Sequence, residues 1–186
     1  MIKAIAVDMD GTFLNSQSTF DRPLFEKVYA QLQAKDVEFV VASGNPIYQL
    51  VEKRFPKEAD GMAFVAENGV ELIDRGQEIY CGQFTKEQVE TLVAFFRSIP
   101  GGHLIISGRH HAFAFADEDP LFVKRVQPHY IHMQQINSLA DIDDPVVKFM
   151  MDVPPKETRF WMDEVIKRFG SCLLYTSDAA DEGLGV

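Results

Sequence analysis

At 186 residues, with 46% hydrophobic and 25% charged side chains, the chain has room for one packed domain or for a small core carrying an inserted second unit. A formal charge of −10 makes nucleic acid a poor partner, and no apolar run approaches the roughly 18 residues of a membrane helix, so no membrane partner is expected. Two cysteines, Cys81 and Cys172, cannot build a disulfide framework, and Met1 to Asp8 lacks the apolar stretch of a secretory signal, so a reducing, cytoplasmic location is expected, with Cys81 as buried filler.

Along the chain, the apolar run from Lys3 to Val7 predicts a buried parallel strand that delivers Asp8 at its C-terminal end. Asp21 as a cap, Pro23 in a first turn, and Leu24, Val28 and Leu32 at helical spacing predict a helix to about Lys35. Glu38 to Ala42 reads as a second buried strand. It is followed by Ser43-Gly44-Asn45-Pro46 and a helical stretch with Ile47, Leu50, Val51 and Phe55. Met62 to Ala66 repeats the strand pattern before the turn Glu67-Asn68-Gly69. Val70 to Ile73 and Glu78 to Cys81 then pair around Asp74 to Gln77.

From Gly82 the character shifts to a second α/β unit, so boundaries fall at 1–81 and 82–171. Thr85 to Gln88 is a capping box ahead of Val89, Leu92, Val93 and Phe96 on one helical face. Strands are expected at His103 to Ser107, Ala112 to Ala116 and Val146 to Val153. After Pro154-Pro155, a last helix carries Met162, Val165, Ile166 and Phe169. Residues 172–186, from Cys172 onward, resemble the translation of a transposase adapter used in sequencing libraries and are read as a non-native tail, although Leu173 to Thr176 has strand propensity.

Strands alternating with helices imply a parallel sheet whose ligands bind at the carboxyl ends of its strands, where Asp8, Ser43 and Asn68 should meet. Asp8 and Asp10 are two carboxylates two residues apart on a turn that Gly11 opens to a bound anion. Asp8, held at the strand end, suits a nucleophile that takes a phosphoryl group. Asp10 suits a general acid for the leaving alcohol and then a base for water. The Asp8 carboxylate and the Asp10 carbonyl offer hard oxygens for Mg²⁺, which would offset repulsion between a carboxylate and a phosphate dianion. Ser43, with the Gly44 and Asn45 amides ahead of a helix N-terminus, suits a phosphoryl oxygen, and Met9 in the first turn joins this phosphate-binding set. Asn68 is assigned to the interface between substrate and second unit. The same residues also fit a phosphoacceptor module, for which Asp10 would be superfluous, or a non-catalytic protein that binds sugar phosphates. The oligomeric state is left open by the sequence.

Asp8-Met9-Asp10-Gly11-Thr12-Phe13-Leu14, Val40-Val41-Ala42-Ser43-Gly44-Asn45 and Val65-Ala66-Glu67-Asn68-Gly69 resemble the signatures of the haloacid dehalogenase superfamily, Cof-type (HAD-IIB) branch, over Met1 to about Gly170. The resemblance implies an α/β fold: the N-terminal part of a Rossmann-like core with an α/β cap inserted after the third strand. It also implies Mg²⁺-dependent hydrolysis of a small phosphorylated metabolite through an aspartyl-phosphate, with Asp8 and Asp10 as nucleophile and acid/base and Ser43 binding phosphate. The family's later lysine and its Gly-Asp-x-x-x-Asp segment have no counterpart here, since Lys148, Lys156 and Lys167 fall in the cap region. The 186-residue chain by itself is therefore expected to be inactive, with Ile5 and Val7 on an unpaired edge and poor solubility. Asp143-Asp144-Pro145 reads as a solvated turn, His110-His111 as no zinc site, and Phe160-Trp161 as core rather than a sugar platform.

Overall fold

The computed structural model of the chain describes residues 2–170. Two sheets organise it. The first is built from β1 (Ala4–Asp8), β2 (Glu38–Ala42), β3 (Ala63–Ala66), β4 (Glu71–Asp74) and β5 (Gln77–Cys81), in that spatial order. β1, β2 and β3 run parallel, and β4 and β5 turn back antiparallel through a tight turn at Arg75-Gly76. The parallel register pairs Asp8 with Ala42, so the residues that follow, Met9 and Ser43, leave the sheet side by side. A strand order that follows chain order needs a helical crossover after each parallel strand. α1 (Arg22–Ala34) and the wide helical turn Gln49–Arg54 supply these.

α1 starts where the Asp21 side chain accepts from the Leu24 amide at 2.9 Å, with Pro23 in the first turn. Its inward stripe is Phe25, Tyr29 and, half-buried, Leu32, whereas Leu24 and Val28 are exposed among the described residues. The spacing reading therefore chose the neighbouring stripe. Ring size decides the matter: Phe25 packs on Phe13, Phe20, Phe39 and Phe55 with centroids 5.4–5.7 Å apart, which buries more surface than the two aliphatics could. β1 lies at the edge of the sheet among the described residues, with Ile5 and Val7 half-buried and Ala4 and Ala6 exposed.

The second sheet has the order β8-β7-β6-β9, from β6 (His103–Gly108), β7 (Ala112–Phe115), β8 (Met133–Ile136) and β9 (Val146–Asp152). α2 (Lys86–Arg97) begins at a reciprocal capping box in which Thr85 Oγ1 accepts from the Gln88 amide and Gln88 Oε1 from the Thr85 amide. With α4 (Thr158–Phe169) it covers one face through Val89, Leu92, Val93 and Phe96. α3 (Pro120–Val126) covers the other through Phe122 against Ile105, Ala112 and Ala114. β8 and α3 were not foreseen, because Gln134 and Gln135 dilute the strand pattern and α3 has only seven residues.

Three smaller readings also change. Asp144 is not a solvated residue: its carboxylate is 3% exposed and accepts from the His110 and His111 amides, with His110 Nδ1 at 2.8 Å. It fastens the β6–β7 turn, which is where a buried carboxylate finds enough donors. Cys81 is half-buried rather than buried. Trp161 does pack into the second core, its indole N–H donating to Glu157, while Phe160 stands 59% exposed. The tail reading, including the strand at Leu173 to Thr176, lies outside the described residues.

Candidate active site

Both turns sit at the carboxyl ends of adjacent parallel strands, where backbone amides are free of the ladder. In the first, Gly11 has φ of 72°, the left-handed conformation that glycine enters without a Cβ penalty, and the turn closes as the Leu14 amide donates to the Met9 carbonyl at 2.8 Å. The Met9 side chain is fully buried in the core, so only its backbone can serve an anion. Asp8 and Asp10 are exposed at the strand end.

In the second turn, Ser43 is 6% exposed, and its Oγ accepts from the Asn45 amide at 3.1 Å and from Asn45 Nδ2 at 3.0 Å. A hydroxyl has two acceptor positions and one proton, so with both acceptor positions used the Ser43 proton is left to be donated. Asn45 Nδ2 also donates to Asp10 Oδ2 at 2.7 Å, which ties the first turn to the second. The result is a carboxylate at the strand end, a second carboxylate with a fixed orientation, and a hydroxyl donor.

Glu67-Asn68-Gly69 supports the second turn from behind. Glu67, Asn68 and Gly69 all have positive φ, at 50°, 59° and 91°. This bend brings the Glu67 amide to the Asn45 carbonyl and the Asn68 amide to the Ser43 carbonyl, each at 3.1 Å. Asn68 Oδ1 lies so close to Gly44 that a Cβ there would sit 2.6 Å from it, so a larger residue at position 44 requires the Asn68 side chain to move. Asn68 thus braces the Ser43-Gly44-Asn45 turn, and further residues reach between the two units. Those are Lys148, whose Nζ donates to the Gly44 carbonyl at 2.7 Å and meets the Glu67 carboxylate, and Arg109, which pairs with Glu71 at 3.3 Å and with Glu78. Further along, Gln49 Nε2 and Lys53 Nζ both donate to the Pro128 carbonyl at 3.1 Å, and His132 meets Glu52 at 2.8 Å.

Glu67 and Glu71 are each 1% exposed. Burial pushes both carboxyls above the usual carboxylate range, opposed by Lys148 at Glu67 and by Arg109 at Glu71. The buried Tyr48 phenol is pushed up as well, by burial first and then by the Glu67 charge. Lys148 and Glu67 went unrecognised in the sequence: a lysine on a strand of the second unit, 104 residues from Gly44, carries no local signal of where it reaches.

For a metal, the donor set is the test. Two exposed carboxylates and the Asp10 carbonyl are hard oxygens, and Mg²⁺ is held in proteins by one or two carboxylates together with waters and substrate phosphate. The residues fit Mg²⁺.

A family model for haloacid dehalogenase-like hydrolases matches residues 5–181. The 5-amino-6-(5-phospho-D-ribitylamino)uracil phosphatase YbjI of Escherichia coli is 35% identical over 152 residues, 82% of this chain and 56% of that protein. The crystal structure of SMU.1108c from Streptococcus mutans superposes with a TM-score of 0.83 at 30% identity, covering 89% of this chain and 62% of that one. The HAD subclass IIB sugar phosphatase BT4131 shares the fold, with a TM-score of 0.68 at 18% identity over 92% of this chain and 65% of its own. The chain thus spans little more than half the length of its curated relative.

Proposed function

Since this chain belongs to the haloacid dehalogenase-like hydrolase family, we propose that the whole protein is a Mg²⁺-dependent phosphatase of small sugar phosphates and that residues 2–81 carry the phosphoryl-accepting half of its site. Two relatives support the reading by name: the YbjI protein is a phosphatase of a phosphorylated ribityl compound, and BT4131 is a sugar phosphatase. The observation that carries it is the Asn45 bridge, which holds Asp10 beside the Ser43 hydroxyl at the end of the strand that presents Asp8.

Bound at Asp8 and the Asp10 carbonyl, Mg²⁺ would neutralise phosphate charge and so permit attack by an anion. The remaining chemistry belongs to the chain. An Asp8 carboxylate oxygen attacks phosphorus and the ester P–O bond breaks, the leaving oxygen taking the proton of the Asp10 carboxyl. Asp10, now ionised, takes a proton from water as that water attacks the phosphorus of the aspartyl-phosphate. The P–O bond to Asp8 breaks, inorganic phosphate leaves, and both carboxyls are restored. Ser43 Oγ and the Gly44 amide donate to the transferring phosphoryl oxygens throughout, while the Asn45 amide, which donates to Ser43 Oγ, holds that hydroxyl in place.

The second unit, in the position of a cap, covers this site and selects the substrate. No helix among the described residues is long and apolar enough to cross a membrane. A reducing cytoplasm, where phosphorylated metabolites are held, suits the reading, and nucleic acid is no partner.

The test is hydrolysis of p-nitrophenyl phosphate and a panel of sugar phosphates by the whole protein, with Mg²⁺ and with chelator. Activity should require Mg²⁺ and vanish in Asp8→Asn. Asp10→Asn should lose turnover, and if it instead left turnover intact the acid/base assignment would fall. The 186-residue chain should show no turnover under the same conditions, because it lacks a counterpart of the family's later lysine and acidic segment.

A further inference from the structure

The turn Ser43-Gly44-Asn45 has three carbonyls, and each is claimed by a donor that lies outside it. The Asn68 amide takes Ser43 O, the Glu67 amide takes Asn45 O, and Lys148 Nζ takes Gly44 O. The first two donors belong to the neighbouring loop of the same sheet. Lys148 stands on β9, in the second unit.

A peptide group is planar and trans, so its C=O and N–H point in opposite directions. Fixing the Gly44 carbonyl on Lys148 therefore fixes the Asn45 N–H on the opposite side. That N–H is the one that donates to Ser43 Oγ at 3.1 Å and so leaves the Ser43 proton to be donated. Without a donor at Gly44 O, this peptide plane has no anchor on its carbonyl side, and it is flanked by a glycine with few steric limits on rotation.

The lysine is itself held. Its side chain is 19% exposed, and the Glu67 carboxylate that it meets is 1% exposed. A buried charge pair of this kind is sensitive to geometry, because removing either partner strands the other. Glu67 also donates its own amide to Asn45 O, so one residue holds both the lysine and the turn.

We infer that Lys148 is a positioning residue through which the second unit sets the orientation of the Gly44–Asn45 peptide, and with it the amide that holds the Ser43 hydroxyl for donation to phosphate. The phosphate at Ser43 rests on the proposed function; the peptide orientation is independent of it. The arrangement makes phosphate binding conditional on the second unit being seated over the first.

Lys148→Met removes the charge and keeps the length, and Lys148→Arg restores a cationic donor. In the 186-residue chain, the backbone amide of Asn45 should exchange with deuterium about tenfold faster in K148M, with its ¹⁵N–¹H resonance displaced, and return toward the wild-type rate in K148R. Amides in β6 and β7 serve as the internal reference, since simple loss of stability would move them too. In the whole protein, K148M should raise KM for p-nitrophenyl phosphate and the inhibition constant of inorganic phosphate about tenfold, with a smaller change in kcat. An Asn45 amide unmoved in K148M relative to that reference would overturn the inference. If K148M does not fold, Glu67→Gln, which loosens the lysine without removing it, is read on the same amide, and an unmoved Asn45 there overturns the inference equally. A displaced Asn45 amide in a whole protein that hydrolyses no phosphate ester would uphold the positioning and sink the phosphatase reading.

Discussion

The side-chain amide of Asn45 donates to Asp10 Oδ2 at 2.7 Å and to Ser43 Oγ at 3.0 Å, joining two turns that are 35 residues apart in the chain. A proton-transferring carboxyl needs one oxygen held and the other free, and this bond supplies the hold. Asn45→Ala should therefore lower kcat of the whole protein by about 10²-fold, within the range of a misplaced general acid, with less effect on KM. Asn45 is half-buried and its side-chain bonds run only to Asp10 and Ser43, so the thermal midpoint should change little. A kcat within twofold of wild type would show that Asp10 is held by something else.

Gly44 and Asn68 form a second pair whose meaning is steric. A Cβ on residue 44 would lie 2.6 Å from Asn68 Oδ1, and Asn68 already has φ of 59°. Gly44→Ala should cost about 1–3 kcal/mol, the usual range for overpacking. Adding Asn68→Gly removes the obstructing side chain and suits the left-handed backbone, so the double variant should recover most of the loss. Urea midpoints of the four proteins give the coupling, and additive losses would mean that the two residues do not touch in solution.

The residues that belong to strand ends were legible because a short apolar run followed by an acidic or Ser-Gly turn is a local pattern, and parallel pairing then brings such ends together. Asp8, Asp10, Ser43, Gly44 and Asn45 all follow from that rule. What could not be read is whatever depends on residues far apart in the chain, between the units or within one, coming together. Lys148 reaches Gly44 across 104 residues, and Asp144 finds its donors in the His110-His111 turn 34 residues back. The stripe of α1 was misread for a related reason. Leu24-Val28 and Phe25-Tyr29 have equal periodicity, and the choice between them is made by the aromatic cluster they face.

Glu71 gives a prediction in pH. Its carboxyl is raised by burial, lowered in part by Arg109 and raised again by Glu67. A raised folded value means that the folded state holds the proton to higher pH than the unfolded chain does. The associated stability is then fully present below the ordinary Glu value of about 4.3 and is lost as pH rises through the folded value. Glu71→Gln cannot titrate. The wild type should lose stability relative to this variant between pH 4 and the raised value, and the gap should be constant above it. Urea midpoints over pH 4–8 for both proteins test this, and parallel profiles would mean that Glu71 titrates normally.

Phe55 closes the first core. It is fully buried, it stacks on Phe20 at 5.6 Å, and it meets Phe25 at 5.4 Å, Phe13 at 6.2 Å and Phe64 at 6.4 Å. Its position just after the helical turn Gln49–Arg54 puts it between α1 and the sheet that presents Asp8 and Ser43. Truncation to alanine removes the ring's transfer free energy and leaves a cavity that four other rings cannot fill without leaving their rotamers, so Phe55→Ala should cost about 3–5 kcal/mol. Phe160, 59% exposed, is the matched control, and Phe160→Ala should change stability by less than about 0.5 kcal/mol. The loss at Phe55 should also reach the site. The strand ends that align Asp8 with Ala42 lean on this cluster, so a variant held folded at low temperature should bind orthophosphate more weakly than wild type. Equal unfolding midpoints for the two alanine variants would mean that the aromatic cluster is not what holds the first sheet to its helices.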